Sequence, residues 1–569
     1  YYRNQCILKK SMNKPLISFI LLFLISCIVS AQTAYKITYE KFSNDVKVDE
    51  ENPTVVWANE QESIIGAKNA FSTQKKYPYE IISYQKYDSI LYPITFFSND
   101  SVIATKNSIG NGNLTYKKTK RSKRILGIKC KHAEVHINSN KIDLWYVDNL
   151  PIQAAPNTVG LPLGLVMEYE RNNNFSIRVN KIEEVKNIEI HHFTDFDFEK
   201  VFVPMLDYRN LVWKSRFVHI PIFDHQQIHF GAKNQFSPDS TSIFANGTVV
   251  VKKIKFPTLQ EDDQIFLQLT QFSNGDAYDR TGSVFLIPIE KKPNFLEALQ
   301  NGIEVLPFIT DKNKQKYQGM IRIGNYEPLV ELMRFFTPFG IREFNHIEIK
   351  DHHWLNAAEY RQEISDLKNL LSNKEVYIGI FIGNYDQGGH IVSAEATIHR
   401  GGKSVFPTQK SLPLFNTLNV MEMAGQNYGS LFSDEKGLVV RFDLKEDWNN
   451  AYLRLITTGH GGWENGDEFL AKENTVYLND KKVFQLAPWR TDCGSYRMMN
   501  PASGNFENGL SSSDYSRSNW CPGTVTPPYY IQLGNLKAGK HQLQIIIPQG
   551  EKEGNSFSFW SVSGILLGE

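Results

Sequence analysis

Residues 265–287 contain the pattern that recurs through most of the chain. They read Ile265-Phe266-Leu267-Gln268-Leu269, then a polar turn around Asn274-Gly275-Asp276, then Ser283-Val284-Phe285-Leu286-Ile287. Short apolar runs separated by Asn, Gly and Asp are typical of antiparallel strands joined by turns. Similar runs occur at 376–381 and 542–547, and helical periodicity is scarce. The sequence therefore predicts an all-β protein.

Two segments are exceptions and are predicted to be helices. Residues 357–371 place Leu367, Leu370 and Leu371 at a spacing that suits one face of a helix. A shorter helix is predicted over 295–301.

The length of the chain predicts several domains, because single hydrophobic cores stop growing well below 569 residues. We expect a β-rich accessory domain at 33–192, a linker rich in aromatic residues at 193–225, and two further domains at 226–402 and 403–569. Each of the last two suits an eight-stranded antiparallel jelly-roll β-sandwich. Two adjacent sandwiches form a groove between them, and ligands commonly bind in such grooves.

The first residues predict export. Lys14 precedes the apolar run Leu16 to Val29, which ends in Val29-Ser30-Ala31. A positive charge, a short apolar run and small residues form a signal peptide, so residues 1–31 comprise upstream residues and a signal cleaved after Ala31. The run is too short for a comfortable membrane span. Leu24-Ile25-Ser26-Cys27 leaves open a lipoprotein anchored at Cys27. We expect a secreted or periplasmic protein.

Charge and cysteine content restrict the partners and the possible metal sites. The net charge is +1, from 62 basic and 61 acidic residues, which favours neither a nucleic acid nor an anionic membrane as partner. A monomer is expected. Once the leader is removed, Cys130, Cys493 and Cys521 remain, too few for a four-cysteine zinc ribbon. We expect Cys493 and Cys521 to form a disulfide, and Cys130 to be a small buried residue in a strand.

Two stretches share the triplet Asn-Gly-Asp and add acids just after it. Asp279 and Arg280 follow Asn274-Gly275-Asp276, and Glu468 follows Asn465-Gly466-Asp467. Asn-Gly-Asp alone favours turn residues that cap their own backbone. Carboxylates brought from two domains to one cleft are also what acid–base hydrolysis needs.

Several segments, in order, are similar to motifs of the peptide:N-glycosidase F family. Asp276-Ala277-Tyr278-Asp279-Arg280 is similar to its Asp-Glu-Trp-Asp-Arg segment. Residues 334–339 resemble its Arg-Phe-Ile-Thr-Pro-Tyr segment, residues 451–454 resemble the beginning of its second domain, and residues 519–523 resemble its Gly-Trp-Cys-Pro-Gly segment. The resemblance covers residues 226–569. Separately, Gly160 to Leu165 resembles the motif of a family of exported bacterial β-domains named for Gly-Leu-Pro-Gly-Leu-Ile.

The resemblance implies an activity and a set of residues. The family hydrolyses the amide bond between asparagine and the first N-acetylglucosamine of an N-glycan, which converts asparagine to aspartate. Its fold is two jelly rolls, and it uses no metal or other cofactor. The catalytic residues then correspond to Asp279 and Glu468, and the substrates are N-linked glycoproteins or glycopeptides. Further site residues are implied. Arg280 and Arg517 bind the chitobiose core, and Arg280 also keeps Asp279 ionised. Trp520 and Tyr385 stack on sugars, Tyr278 and His460 replace tryptophans of the family, and Cys493 and Cys521 form the disulfide.

The sequence also departs from the family and leaves alternatives open. The family's third acid aligns with Gly383, and Asp386 is a nearby substitute. A non-catalytic N-glycan-binding protein on the same fold therefore remains an alternative. A copper monooxygenase is another, because such enzymes also use two jelly rolls and the chain contains His191-His192 and His352-His353. The His132-Ala133-Glu134-Val135-His136 segment is expected to be a strand without metal.

Overall fold

The computed structural model describes residues 33–73, 75–98, 101–108, 114–185, 201–401, 410–463, 465–502 and 511–569. The predicted signal at 1–31 and the pair His191-His192 lie outside these ranges. The chain forms two compact units, one ending at Ser215 and one from Arg216 to Glu569. Within the described ranges, no helix combines the length and the apolar character that a membrane crossing requires.

The first unit is built on one large antiparallel sheet. Its strands lie in the order β7-β6-β5-β4-β3-β1-β13-β12-β11-β10-β9, with β2 paired to β1 and β8 paired to β6. The elements are β1 (Ala34–Ser43), β2 (Val46–Val48), β3 (Thr54–Ala58), β4 (Glu62–Ala67), β5 (Tyr79–Gln85), β6 (Ile90–Phe96), β7 (Val102–Ala104), β8 (Asn107–Ser108), β9 (Lys117–Ile125), β10 (Ile128–Ile137), β11 (Asn140–Val147), β12 (Leu165–Arg171), β13 (Phe175–Val185) and helix α1 (Met205–Lys214).

The second unit begins with a sandwich of two antiparallel sheets. One sheet has the order β14-β24-β17-β22, and the other has the order β15-β16-β23-β18-β21-β30. The elements are β14 (Phe217–Ile228), β15 (Ser242–Phe244), β16 (Val249–Lys255), β17 (Gln264–Ser273), β18 (Thr281–Ile287), α2 (Phe295–Asn301), β19 (Phe308–Thr310), β20 (Lys316–Gln318), β21 (Val330–Phe336), β22 (Ala358–Glu363), α3 (Lys368–Leu371), β23 (Glu375–Ile382) and β24 (His390–His399).

A second sandwich follows, with four strands in each sheet. The sheet orders are β25-β33-β27-β31 and β26-β32-β28-β29. The strands are β25 (Lys410–Asn416), β26 (Leu438–Leu444), β27 (Trp448–His460), β28 (Asn474–Leu478), β29 (Lys481–Leu486), β30 (Val525–Thr526), β31 (Tyr529–Leu536), β32 (Gly539–Ile546) and β33 (Phe559–Gly568). Strand β30 lies in the sequence of the second sandwich but extends a sheet of the first.

The structure confirms the all-β class and the two jelly rolls. Of the two predicted helices, the one at 295–301 is confirmed and the one at 357–371 is wrong. Helix α2 occupies the predicted residues 295–301, and Asn294 caps it by accepting a hydrogen bond from Glu297 N at 3.1 Å. In contrast, 358–363 is strand β22, and only the four residues of α3 are α-helical. Residues 358–361 alternate between buried and exposed positions, and 358–363 pair with β17. Sheet pairing therefore overrides a spacing of leucines that lies entirely beyond the strand.

The strand count and the predicted linker also differ from expectation. The larger sheet of the first jelly roll has six strands, so this sandwich exceeds the expected eight strands. The segment 193–225 is described from residue 201 and contains helix α1. Strand β14 begins at Phe217 and pairs with β24, which makes it part of the first jelly roll.

Alternation of side chains builds the cores. In β17, Ile265, Leu267 and Leu269 are fully buried and the residues between them are partly exposed. The core of the first jelly roll also includes Tyr452 and Leu567 from the second. The two sandwiches therefore share a continuous apolar contact.

Four buried charged residues lie in that contact and form the interface ion cluster. Glu331 and Arg334 are on β21, Asp366 follows β22, and Arg454 is on β27. Arg334 Nη2 donates to Glu331 at 2.7 Å, and Arg454 Nε lies 2.9 Å from Asp366 Oδ2. The cluster pairs every charge in a place that excludes water.

The interface ion cluster also joins the two sandwiches through hydrogen bonds. Arg334 Nη1 donates to Thr458 Oγ1 of the second jelly roll at 3.0 Å. In the opposite direction, Arg454 Nη1 donates to the Glu331 carbonyl oxygen of the first at 2.8 Å. Each sandwich thus contributes an arginine to the other, which fixes their relative position.

The cysteines lie as predicted. Cys493 and Cys521 form a disulfide across 28 residues of chain, and such a loop closure contributes about 3–4 kcal/mol of stability by chain entropy. Cys130 is free and buried in β10. Burial raises the pKa of its thiol, so it is unreactive as a nucleophile.

The interface ion cluster predicts a large effect of removing one charge. The substitution Arg454→Met leaves the Asp366 carboxylate buried without its cation, which costs about 3–5 kcal/mol. We expect the midpoint of urea-induced unfolding of this unit to fall accordingly. The double variant Arg454→Met/Asp366→Asn is expected to be more stable than the single variant, because it leaves no lone charge.

Lys537 supplies the matched control, because its ion pair with Asp447 is exposed. We expect Lys537→Met to change stability by less than about 1 kcal/mol. Equal effects of Arg454→Met and Lys537→Met would contradict this account of the interface.

Candidate active site between the two jelly rolls

Asp279 and Glu468 lie on equivalent connections of the two sandwiches. Asp279 is in the loop from β17 to β18, and Glu468 is in the loop from β27 to β28. Each loop passes from one sheet of its sandwich to the other sheet. Both carboxylates are partly accessible, since each side chain is 19% exposed.

The guanidinium of Arg517 connects the two acids. The same nitrogen, Nη1, donates to Asp279 Oδ2 at 3.1 Å and to Glu468 Oε1 at 2.9 Å. Arg517 itself is fully buried. The structure therefore places one carboxylate from each jelly roll around a single cation.

Backbone hydrogen bonds fix the loop that carries Asp279. Thr337 Oγ1 accepts from Arg280 N at 2.8 Å and donates to the Tyr278 carbonyl oxygen at 2.8 Å. Gly340 N donates to the Ala277 carbonyl oxygen at 2.6 Å. Asp279 is thus held from both sides against the segment that resembles the family's Arg-Phe-Ile-Thr-Pro-Tyr.

The aspartate of the first triplet is a structural anchor, and it pairs with Arg280. Arg280 Nε donates to Asp276 Oδ2 at 2.7 Å, and Tyr278 N donates to Asp276 Oδ1 at 3.1 Å. Burial opposes ionisation of Asp276, but His390 and Arg280 outweigh it and lower its pKa to about 2. The charge of Arg280 lowers the pKa of Asp279 less than that of Arg517, which hydrogen-bonds directly to that carboxylate.

The aspartate of the second triplet is also an anchor. Asp467 is buried and accepts from Trp560 Nε1 at 2.7 Å and from Gly550 N at 2.9 Å. Next to it, the Glu468 carbonyl oxygen accepts from Ser518 N at 2.9 Å. The backbone of Glu468 is therefore tied to the residue that follows Arg517.

Trp520 supports Arg517 from beneath. Its ring lies 4.2 Å from the guanidinium carbon and stacks on Phe336 at 4.3 Å, and its Nε1 donates to the Gly459 carbonyl oxygen at 3.0 Å. Only 3% of Trp520 is exposed. The expectation that this ring stacks on a sugar is therefore corrected: its faces are covered by protein, and it orients Arg517.

His460 is likewise buried beneath the site. Its Nε2 is 2.7 Å from Thr458 Oγ1, and its ring stacks on Phe559. Burial, reinforced by Arg334 and Arg517, holds its pKa well below the usual range. His460 is thus a neutral packing residue, and the sequence-based expectation that it contacts substrate is not met in this position.

Two tyrosines form the exposed aromatic surface beside Asp279. Tyr278 is 59% exposed and Tyr385 is 52% exposed. The guanidinium carbon of Arg280 lies 4.8 Å from the first ring and 5.4 Å from the second. These rings offer open faces of the kind that stack on sugars.

The region around Gly383 contains an acid that sequence reasoning missed. Asp386 does not substitute for the missing third acid, because its Oδ1 accepts from Gly388 N and Gly389 N at 2.7 and 2.8 Å and closes a turn. Glu422 instead reaches Gly383: a methyl group at Gly383 would lie 3.7 Å from Glu422 Oε2. No local sequence signal connects two positions so far apart.

The charges of the paired acids are set by burial and by each other. Burial raises the pKa of Asp279, and Arg517 opposes this rise. Burial raises the pKa of Glu468 to about 7, with Arg517 opposing and the Asp279 charge adding to the rise. Two acids that share one cation can hold one proton between them near neutral pH.

One cluster of potential metal ligands occurs among the described residues, in the first unit. His132 and Glu134 on β10 and Asp143 on β11 bring their ligand atoms together. Arg121 and Lys141 lie 3.1 Å from Asp143 and also pair with Glu134. Two cations already neutralise the two acids, so the cluster is an ion-pair network. Residues 132–136 lie in strand β10, as the sequence predicted.

The second histidine pair does not form a copper site in the described structure. His352 and His353 are exposed in an irregular segment, and His353 contacts Glu348 at 3.1 Å. A copper site needs converging ligands.

Comparisons with protein-family models match three parts of the chain. Residues 219–398 match Peptide-N-glycosidase F, N terminal, and residues 427–567 match Peptide-N-glycosidase F, C terminal. Residues 37–210 match N-glycanase peptide, N-terminal domain. The last match relates the first unit to an N-glycanase domain rather than to the exported β-domains that its Gly-Leu-Pro motif resembles. Among curated proteins, none matches.

Two solved structures match almost the whole chain. Two crystal forms of PNGF-II are 42% and 43% identical, with TM-scores of 0.85 and 0.87; the alignments cover 94% and 95% of this chain and 98% and 99% of those chains. Peptide:N-glycosidase F from Flavobacterium meningosepticum is 17% identical, with a TM-score of 0.41, over 62% of this chain and 96% of that chain.

The arrangement of the two acids predicts a coupled titration. Substitution Asp279→Asn removes a negative charge that raises the pKa of Glu468, so the midpoint for Glu468 should fall. Substitution Arg517→Met removes the opposing cation, so the midpoint should rise. Carbon-13 NMR of labelled glutamate carboxyls, assigned with Glu468→Gln, measures both shifts; a midpoint that neither substitution moves would contradict the coupling.

Proposed function

This chain belongs to the peptide-N-glycosidase F family, and we propose that it is a peptide-N4-(N-acetyl-β-glucosaminyl)asparagine amidase. It would hydrolyse the asparagine–N-acetylglucosamine amide bond of N-linked glycoproteins or glycopeptides, leaving aspartate and releasing the glycan. The observation that supports this most directly is the pair Asp279 and Glu468 around Arg517. We propose further that the protein is exported and acts as a monomer without metal or other cofactor.

The chemistry requires more than one acid–base group. An amide is a poor electrophile, so the attacking water must lose a proton while the leaving nitrogen gains one. Two carboxyl groups that share a cation and hold raised pKa values can be in opposite protonation states at neutral pH. The pair is therefore suited to accept one proton and to supply another.

In the proposed roles, Asp279 is the principal acid–base group at the sugar–asparagine junction. Glu468 holds a water molecule or a sugar hydroxyl from the opposite jelly roll. Arg517 keeps both acids in place, and its charge favours whichever of them is ionised. Tyr278 and Tyr385 present their exposed rings to the sugars.

The alternative function is that of a glycan-binding protein without catalytic activity. Gly383 supplies no side chain where the resemblance implies an acid, and the exposed tyrosines would serve binding equally well. Incubation with a glycopeptide distinguishes the two functions: conversion of Asn to Asp supports the amidase, and binding without change of peptide mass supports the alternative. Stoichiometric copper in a metal assay would instead support a monooxygenase.

The proposed role of Asp279 predicts a large loss of activity in Asp279→Asn. Amide nitrogen and oxygen replace the carboxylate with nearly the same shape, so the fold should persist while proton transfer is lost. We expect kcat/KM on a glycopeptide to fall about 10²–10⁴-fold, the usual contribution of a positioned acid–base group. Mass spectrometry of the released peptide measures the rate.

Asp239→Asn is the matched control, because Asp239 is exposed in a loop. It should retain full activity. Full activity in Asp279→Asn would refute the assignment of Asp279.

A further inference from the structure

Glu422 is a third carboxylate, and it lies next to Gly383 and two tyrosine hydroxyls. The hydroxyls of Tyr385 and Tyr428 both donate to Glu422 Oε1, and these hydroxyls are 3.3 Å apart. Within the described residues both hydrogen bonds reach Oε1, so Oε2 stays available to a ligand. Oε2 is the atom that faces the space next to Gly383.

The segment that carries Glu422 is fixed to the first jelly roll. Leu418, Val420 and Met421 are buried in one apolar cluster with Phe381. Glu422 N donates to the Asn419 carbonyl oxygen at 2.8 Å. The carboxylate is therefore presented from a rigid turn.

Contacts place Glu422 on the same surface as Asp279. Gly383 N donates to the Thr281 carbonyl oxygen at 3.1 Å, and Thr281 is two residues after Asp279. On one side of Glu422, the Tyr385 ring lies against Arg280. On the other side, the Tyr428 ring packs on Phe559 at 4.7 Å. Glu422 thus lies in a band of aromatic side chains that begins at the loop of Asp279.

We propose that Glu422 is a substrate-binding carboxylate that accepts hydrogen bonds through Oε2 from hydroxyl or acetamido N–H groups of the N-acetylglucosamine residues nearest the cleaved bond. This proposal rests on the proposed amidase function. A fixed acceptor beside the exposed ring of Tyr385 suits a neutral ligand with both apolar faces and hydroxyl groups. The Glu422 carboxylate lies where a side chain at Gly383 would point. A different part of the chain would thus supply the acid that the family carries at the position of Gly383.

The variant Glu422→Gln tests the proposal. The amide keeps an oxygen for the two phenols and replaces the free acceptor with a donor. We expect KM for a glycopeptide to rise at least about tenfold, the weight of one hydrogen bond to a charged group, with kcat changed less than about threefold. Glu435→Gln is the matched control, because Glu435 is exposed in a turn before β26; it should leave KM unchanged.

Binding without turnover separates this proposal from the amidase function. Calorimetry with N,N′-diacetylchitobiose is done on Asp279→Asn, with and without Glu422→Gln, and the second substitution should raise Kd about tenfold. An active wild-type protein with unchanged KM and Kd in Glu422→Gln would overturn the role of Glu422 alone. A wild-type protein that neither cleaves the glycopeptide nor binds the disaccharide would overturn both proposals.

A relocation of the acid provides the second variant. Glu422→Ala should weaken binding, and adding Gly383→Glu should restore it, because the new side chain would enter the same space. The nearest atom to a β-carbon at Gly383 is Cζ of the Phe381 ring at 3.1 Å, so this ring must move by a few tenths of an ångström in the double variant. Failure of the double variant to recover any binding, while circular dichroism shows a native fold, would contradict the proposal.

Discussion

The site depends on the buried ionic contact between the two jelly rolls. Asp279 and Glu468 belong to different sandwiches, so their separation is only as well defined as the relative position of those sandwiches. The interface ion cluster defines it, because Arg334 and Arg454 each bond to groups of the opposite sandwich. Buried charges are stable only when their partners stay in place. A shift of one sandwich would therefore separate charges in a dry environment, and that cost keeps the two acids in register.

Within the site, the position of the two acids likewise depends on their pairing with a buried charge, that of Arg517. One cation between two partly buried acids cannot neutralise both, so the arrangement favours a state that retains one proton. Trp520 and Phe469 lie against the guanidinium, at 4.2 and 5.1 Å, and restrict its position. The disulfide is formed by the residue next to Trp520, so it stabilises the support rather than the acids themselves. The disulfide therefore helps to hold Trp520 in place, Trp520 holds Arg517, and Arg517 holds the two carboxylates.

Local patterns in the sequence predicted what local physics determines. The short alternating runs predicted the sheets, and the acids just beyond two turn triplets predicted Asp279 and Glu468 as candidates. What failed depends on contacts between distant segments. Leucine spacing suggested a helix over residues that pair with β17. Nothing in the sequence indicated that Arg517, 238 residues away in the chain, would hydrogen-bond directly to Asp279. The burial of Trp520 could not be predicted from the sequence either, because the sequence around a tryptophan in a loop does not show which residues will cover its ring.

The two Asn-Gly-Asp triplets show how one local structure supports two different roles. In both, the aspartate is buried and accepts hydrogen bonds that hold the loop, and the acid beyond it remains partly exposed. The distance from anchor to acid differs, three residues in one loop and one in the other. A loop that binds through its own aspartate can therefore vary the residue it presents without losing its shape. The proposed role of Glu422 extends this reasoning, because a carboxylate needed beside Gly383 would then be supplied by a different segment of the chain.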